Sequence, residues 1–210
     1  MEQEPWESDP PAPEVEASLF SMLKQALGRH VFLGPKDLVL LFSIIRFRTL
    51  RKGEHIVRVG EHNYHALMVL RGLLRNYIID EEGVERTILF VPERMNAGSS
   101  ETILHDRPSV ENIVALENSF LATADLRKFD QLARSRPALL RYHNQILKEL
   151  LAAAIDQSWF HLLMRPEKRY LEFCRRFPKL EQRVTQRDLA SYLGVTPTSL
   201  SRMRARIAQS

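Results

Sequence analysis

Near the C-terminus lies a set of side chains suited to reading nucleic acid. Thr198, Ser199, Ser201, Arg202, Ala205 and Arg206 would share one helix face, which is short, polar and cationic. Hydroxyl and guanidinium groups in that arrangement suit base edges and phosphates in a major groove. Arg202 is the base-reading candidate. Thr185, Arg187, Thr196, Ser199, Ser201, Arg204 and Arg206 are positioning candidates with phosphate as the expected partner, and Gln186 and Thr198 complete the set.

The elements that must position these groups are written in the same stretch, Gln186–Ala205, QRDLASYLGVTPTSLSRMRA. Thr185 can cap a first helix, and Asp188 three residues on completes a capping-box-like pair. Ala190 is small where two helices must cross closely. Gly194 falls at the turn, where positive φ is cheap only for glycine. Thr196 can cap a second helix, with Pro197 at its first position, where a missing N–H is harmless. Leu189, Leu193, Val195, Leu200 and Met203 fall where the helices face each other and the core. Small, turn, capping and apolar positions agree over the whole stretch, which reads as a helix-turn-helix. The bland alternative is a surface αα-hairpin.

Charge is distributed accordingly. The chain of 210 residues has a formal net charge of +4. Residues 165–210 hold eleven bases and four acids, a charge of +7, and residues 1–17 hold six acids and no base. A cationic end of that size attracts a phosphate backbone and releases counterions on binding. Apolar content of 44% suits a globular protein, and no apolar run approaches the roughly 18 residues of a membrane span. The N-terminus has neither a basic start nor an apolar segment, so it does not read as a signal peptide, and a cytoplasmic location is the default expectation. A single cysteine, Cys174, excludes an internal disulfide and an all-cysteine metal site within one chain.

Along the chain, residues 1–17 are acidic and proline-rich and read as a disordered tail. Residues 18–46 read as helical, with Gly34-Pro35 as an interruption and a second short helix from Asp37 to Ile45. From Phe47 to about Ala124 the period shifts toward two, with Gly53, Gly60, Gly72 and Gly83 punctuating short β-rich runs. That pattern predicts an antiparallel barrel or jelly roll. Asp80-Glu81-Glu82-Gly83 predicts a hairpin turn between Leu73–Ile79 and Glu85–Val91. Residues 92–108 read as irregular. A helix begins at Leu126–Ala133, and Pro137 opens a long one over about 138–164. Leu139, His143, Ile146, Leu150, Ala153, Gln157, Phe160 and Met164 recur alternately four and three apart along it, a coiled-coil-like seam that predicts a homodimer. The alternative is that this seam packs on the chain's own barrel. Arg165-Pro166 ends the long helix and starts the next, over 167–177.

In this order of elements the chain resembles the Crp/Fnr family of bacterial transcription regulators. The resemblance covers roughly residues 20–208. It rests on Arg51-Lys52-Gly53-Glu54, Gly60-Glu61, Val69-Leu70-Arg71-Gly72, Arg165-Pro166-Glu167-Lys168-Arg169-Tyr170 and the helix-turn-helix. It implies an α+β fold with an antiparallel cyclic-nucleotide-binding-like β-roll (residues 18–136), a dimerisation helix (137–164) and a DNA-binding domain (165–210). It also implies double-stranded DNA as partner, with RNA polymerase as a further one. Arg202 matches a family arginine that reads a base edge. Thr198 and Ser199 stand where a glutamate and a small polar residue are common, and Pro197 replaces a common arginine, so the family's usual target site is not expected. Little follows the second helix from which the family's β-hairpin wing could be built.

The effector is the open question. The family's nucleotide-binding loop corresponds to Gly98–Val114, with the candidate pocket Gly98, Ser99, Glu101, Arg107, Ser109 and Val110. Gly98 matches, but Ser99 replaces the ribose-binding glutamate and Ser109-Val110 replace the Arg-Ser pair for phosphate. Losing that arginine leaves a phosphate charge unpaired unless Arg107 substitutes. The β-roll is therefore expected either to take an unknown small molecule or to have no effector, and no cofactor is expected. His62 and His65 lack the His-x-His strand spacing that puts two imidazoles on one face, so no metal site is expected. No nucleophile–base pairing is visible, and the chain does not read as an enzyme. Two readings compete with an effector-responsive regulator: a metal-dependent cupin-like enzyme with a helical appendage, and a constitutive DNA-binding module.

Overall fold

Residues 33–207 and residue 209 are described by the computed structural model. The expected tail at 1–17 and most of the expected first helix lie outside them. The elements are α1 (Pro35–Ile44), β1 (Ile45–Leu50), β2 (His55–Val57), β3 (His65–Arg71), β4 (Leu74–Ile79), β5 (Glu85–Val91), β6 (Asn96–Ala97) and α2 (Ser100–His105). They continue with β7 (Asn112–Ala115), β8 (Ser119–Asp125), α3 (Leu126–Arg134), α4 (Pro137–Leu163), α5 (Pro166–Arg176), α6 (Gln186–Leu193) and α7 (Pro197–Ile207).

The strands form two four-stranded sheets, ordered β1-β8-β3-β6 and β2-β7-β4-β5. The strands belong to two separate sheets and form no closed barrel, so of the expected barrel and jelly roll it is the two-sheet form, the β-roll implied by the family resemblance, that is built. Contacts divide the described residues into two bodies, one of residues up to Leu74 with Val91–Lys148, the other of Arg75–Phe90 with the residues from Glu149 onward.

In the first body β8 runs antiparallel between β1 and β3, with Ile45 opposite Ala124 and Leu67 opposite Thr123. Inward positions of these strands meet α1 and α3 in a core of Leu41, Leu70, Ala122, Phe129, Ala133 and Leu139. Phe47 and Phe120, neighbours across the β1–β8 pair, stack at 5.8 Å. At Gly72, between β3 and β4, φ is +104°, and a Cβ would stand 2.3 Å from the Ser119 hydroxyl oxygen. Glycine is required there by both backbone and space. The stretch expected to be irregular holds β6 and α2. Helix α2 forms because Ser99, which is fully buried, caps it, its hydroxyl accepting from Thr102 N.

The second body gathers the β4–β5 hairpin, the later part of α4, and α5 to α7. The hairpin turns where expected: Gly83 N donates to Asp80 O, and the Asp80 carboxylate accepts from the amides of Glu82 and Val84. An aromatic cluster forms the core. The Tyr192 ring lies 5.4 Å from Phe90, 5.5 Å from Phe173 and 5.7 Å from Phe160. Such pairs add to the burial of their large apolar surfaces.

Candidate nucleic-acid interface

The helix-turn-helix forms as its sequence predicts. Thr185 caps α6, its hydroxyl accepting from Asp188 N at 3.1 Å and donating to Asp188 Oδ2 at 2.7 Å. Helix α6 ends at Gly194, whose φ of +67° lies in the left-handed region. Thr196 caps α7 through Ser199 N at 3.1 Å, and Pro197 is the first residue of that helix. Leu189, Ala190, Leu193, Leu200 and Met203 are all buried between the helices and the core. Gln186 Nε2 donates to Pro197 O at 2.9 Å, tying the start of α6 to the start of α7.

The polar face is left outside. Thr185, Gln186, Arg187, Thr196, Thr198, Ser199, Ser201, Arg202 and Arg206 are all exposed. None of the described residues pairs with Arg187 or Arg202, so both guanidinium groups are available to an anionic partner. The other two arginines of α7 are engaged at home. Arg206 Nη2 lies 2.7 Å from Glu167 Oε1. Arg204 is half-buried, 3.5 Å from Glu181 Oε2, with its guanidinium 5.5 Å from the Tyr170 ring centre. The sequence pattern set all four arginines together, and the carboxylates that separate them come from α5 and the turn after it.

Glu181 is the hub of that anchoring. Its Oε2 accepts from the Tyr170 hydroxyl at 2.7 Å and from Cys174 Sγ at 3.3 Å. The Tyr170 bond holds the Glu181 carboxyl below the ordinary carboxylate range despite partial burial. Burial and then the Glu181 bond push the Tyr170 phenol up to about 12, and the same two causes push the Cys174 thiol up. Cys174 is thus a packed, protonated thiol.

The candidate effector loop holds its residues in different settings. Gly98 sits in a tight place, since a Cβ there would stand 2.7 Å from Ile103 Cδ1, which would have to swing aside, and 3.1 Å from His65 O. Ser99 is occupied in capping α2. Ser109 is buried, its hydroxyl donating to Glu111 O at 2.8 Å. Arg107 and Val110 point outward and Glu101 is half-buried. A residue that sequence reasoning passed over stands in their midst. Glu111, buried, has its Oε1 2.6 Å from Ser100 N and 2.8 Å from Ser100 Oγ. A carboxylate thus already holds the first amide of α2, the kind of donor an incoming phosphate would seek. Its sequence surroundings gave no warning, because Glu111 stands just before β7 with no apolar alternation to mark it as facing inward.

On the long helix the expected seam divides. Leu139 and Phe160 are fully buried within the chain, in the core under α3 and in the aromatic cluster. His143 packs edge-on against Phe129 at 5.2 Å, Ile146 is half-buried, and Gln157 Oε1 accepts from the Tyr192 hydroxyl. Only Leu150 and Ala153 of that set are exposed. The large apolar side chains of α4 left exposed are Leu140, Leu147, Leu150, Leu151, Ile155, Trp159, Leu162 and Leu163, of which Leu140, Leu147, Leu151 and Leu162 fall in one row. Both rows have helical spacing, and periodicity alone cannot say which one faces inward. Among the described residues no three His, Cys, Asp or Glu side chains group closely enough to hold a metal, and no helix is long and apolar enough to cross a membrane.

Residues 47–136 match the family model of the cyclic nucleotide-binding domain. No curated protein matches the chain. Among solved structures it is similar to FixK2 from Bradyrhizobium japonicum, with a TM-score of 0.67 and 18% identity over 79% of this chain and 85% of that one. It is also similar to a protein described as a transcriptional regulator of the crp/fnr family from Eubacterium rectale, with a TM-score of 0.65 and 18% identity over 81% of this chain and 82% of that one. The c-di-GMP responsive global regulator CLP of Xanthomonas campestris gives a TM-score of 0.62 at 16% identity, over 82% and 90% of the two chains. Residues 47–136 thus have a cyclic-nucleotide-binding-type β-roll. The chain as a whole has the Crp/Fnr fold that its sequence resemblance implied.

Proposed function

We propose that this chain is a sequence-specific DNA-binding transcription regulator of the Crp/Fnr type that acts as a homodimer. One observation carries the reading: α6 and α7 are packed and capped as a helix-turn-helix, with Arg187, Arg202 and a row of hydroxyls exposed on one face. In this reading Arg202 contacts a base edge. Thr185, Gln186, Arg187, Thr196, Thr198, Ser199 and Ser201 hold the backbone, and Arg204 and Arg206 steady the helix through Glu181 and Glu167. Two copies are needed because one recognition helix reads few bases, whereas a two-fold dimer reads two half-sites. The exposed Leu140, Leu147, Leu151 and Leu162 row of α4 supplies the surface for that pairing.

The Glu111 carboxylate on Ser100 N supports a β-roll that does not take a cyclic nucleotide in the usual way, and favours constitutive DNA binding over a nucleotide switch. The test is selection of purified protein on random-sequence duplexes at several salt concentrations. The expected result is a two-fold symmetric motif with half-sites about one helical turn apart. In the selected duplex, Arg202→Ala should weaken binding by about 1–3 kcal/mol and leave random-duplex affinity unchanged. Binding without enrichment that disappears as salt rises would overturn the reading.

A further inference from the structure

The β4–β5 hairpin is docked on the first helix of the helix-turn-helix by groups that have few other ways to be satisfied. Arg75, on β4, is buried. Its Nη1 lies 2.6 Å from Glu85 Oε2 on the neighbouring strand and 3.2 Å from Asp188 Oδ1 on α6. Its Nε donates to Thr87 Oγ1 at 2.8 Å, and its guanidinium covers the Tyr77 ring at 4.5 Å. Asp188 is also buried, and its other oxygen accepts from the Thr185 cap.

The strand itself is held as well. Among the described residues β5 ends its sheet, so its outer amides and carbonyls have no strand partner there. Ser191, one turn along α6, meets two of them with a single hydroxyl: it accepts from Thr87 N at 2.9 Å and donates to Glu85 O at 3.1 Å. Gln157 Nε2 donates to a third, Ile88 O, at 3.4 Å. Pulling α6 from the hairpin would strand a buried arginine opposite one carboxylate fewer and bare these edge groups.

We propose that the β4–β5 hairpin is a working part of the DNA-reading body, and that Arg75 is a positioning residue which sets the recognition helix through Asp188. The path is short: Arg75 holds Asp188, Asp188 holds the Thr185 cap, and adjacent Gln186 holds Pro197 O at the start of α7. Strand and helix therefore turn together, and any displacement of the hairpin reaches the residues that face DNA. The proposal rests on the DNA-binding reading above.

The test uses the full chain with Arg75→Leu, Arg75→Lys and Ser191→Ala. Two quantities are read: hydrogen exchange of the amides at 85–88 and along α6, and affinity for the selected duplex against a random one. Arg75→Leu should lower amide protection there by about tenfold while the β1–β8 amides keep theirs. It should lower the preference for the selected duplex by about tenfold with random-duplex affinity unchanged. Arg75→Lys should recover part of both. If Arg75→Leu does not fold, Ser191→Ala, which leaves no buried charge unpaired, should shift both readouts in the same direction. Lost protection with unchanged preference would overturn the positioning role, and unchanged protection would overturn the docking. A wild-type chain with no preference for any duplex would remove the DNA reading and the positioning role with it, while the exchange measurement would still decide the docking.

Discussion

Replacing Leu151 with Ala on the long helix should weaken a dimer without weakening the folded chain. Leu151 is 62% exposed within one chain and lies in the row with Leu140, Leu147 and Leu162. Burying a whole leucine stabilises by roughly 1.5–3 kcal/mol, so the exposed part of Leu151 is worth roughly 1–2 kcal/mol when a partner covers it. In a two-fold dimer the loss counts twice, giving at least about 2 kcal/mol, or about 30-fold in the dimer dissociation constant. Phe160→Ala is the opposite case. Its ring is 1% exposed among Tyr192 and His161, and truncation should cost about 3–5 kcal/mol of folding stability. Ala153→Asp, exposed on the other side of the helix, should leave both quantities nearly unchanged. Sedimentation equilibrium gives the dissociation constant and thermal unfolding gives the stability. An unchanged dimer in Leu151→Ala together with a disrupted one in Ala153→Asp would refute the assignment and return the seam to the register read from sequence.

Gly194→Ala should destabilise the second body by about 1–2 kcal/mol, because φ is +67° there and the nearest atom, 3.7 Å from the added Cβ, leaves room, so the effect is backbone strain alone. An unchanged unfolding temperature would contradict it. The fork of Arg175 and Arg176 on Glu172 brings that carboxyl down to about 2 from its ordinary 4.5. A depressed carboxyl stabilises the fold above its unfolded pKa and loses that contribution as pH falls through the folded value. The wild-type advantage over Glu172→Gln in urea midpoint should therefore be full above about pH 5 and vanish toward pH 2. Arg175 is 73% exposed, so solvent and salt hold the advantage to under about 1 kcal/mol, and a gap that ignores pH would refute the account. The raised Cys174 thiol should react with a disulfide reagent at neutral pH far more slowly than the same thiol in urea, and equal rates would show that it is not packed as described.

Much of the architecture was legible because local rules and tertiary packing agree. The Thr185 cap, the Gly194 turn, Pro197 at the head of α7 and the Asp80–Gly83 hairpin each follow from one residue's backbone preference, and the fold respects all of them. The short helix α2 was missed because its evidence is a single buried cap, Ser99, in a stretch with no apolar period. The long helix was placed within a residue at each end, yet its inward face was not settled. A helix with leucines on two adjacent rows satisfies the same spacing rule either way, and only the presence of Phe129 and Tyr192 on one side decides.

The candidate site shows a different limit. Which side chains point outward on α7 follows from helical geometry, and Arg202 lies where the pattern put it. Which arginines are free does not follow, because Glu167 and Glu181 reach α7 from other elements, 39 and 23 positions back in sequence. The same holds for Arg75, which in sequence is one more cation in a strand. Its burial beside Asp188 emerges only when a hairpin more than a hundred residues away is brought against α6. Charge counted along the chain therefore overstates what is left for an anionic partner. Of the eleven bases after residue 164, Arg175, Arg176, Arg204 and Arg206 are matched by acids of the same segment. The face that can discriminate sequences narrows to Arg187, Arg202 and the hydroxyls between them. If the proposed DNA reading holds, a face with so few free cations depends on helix orientation more than on total charge, and the groups that fix α6 then bear on that function as directly as those that would touch a base.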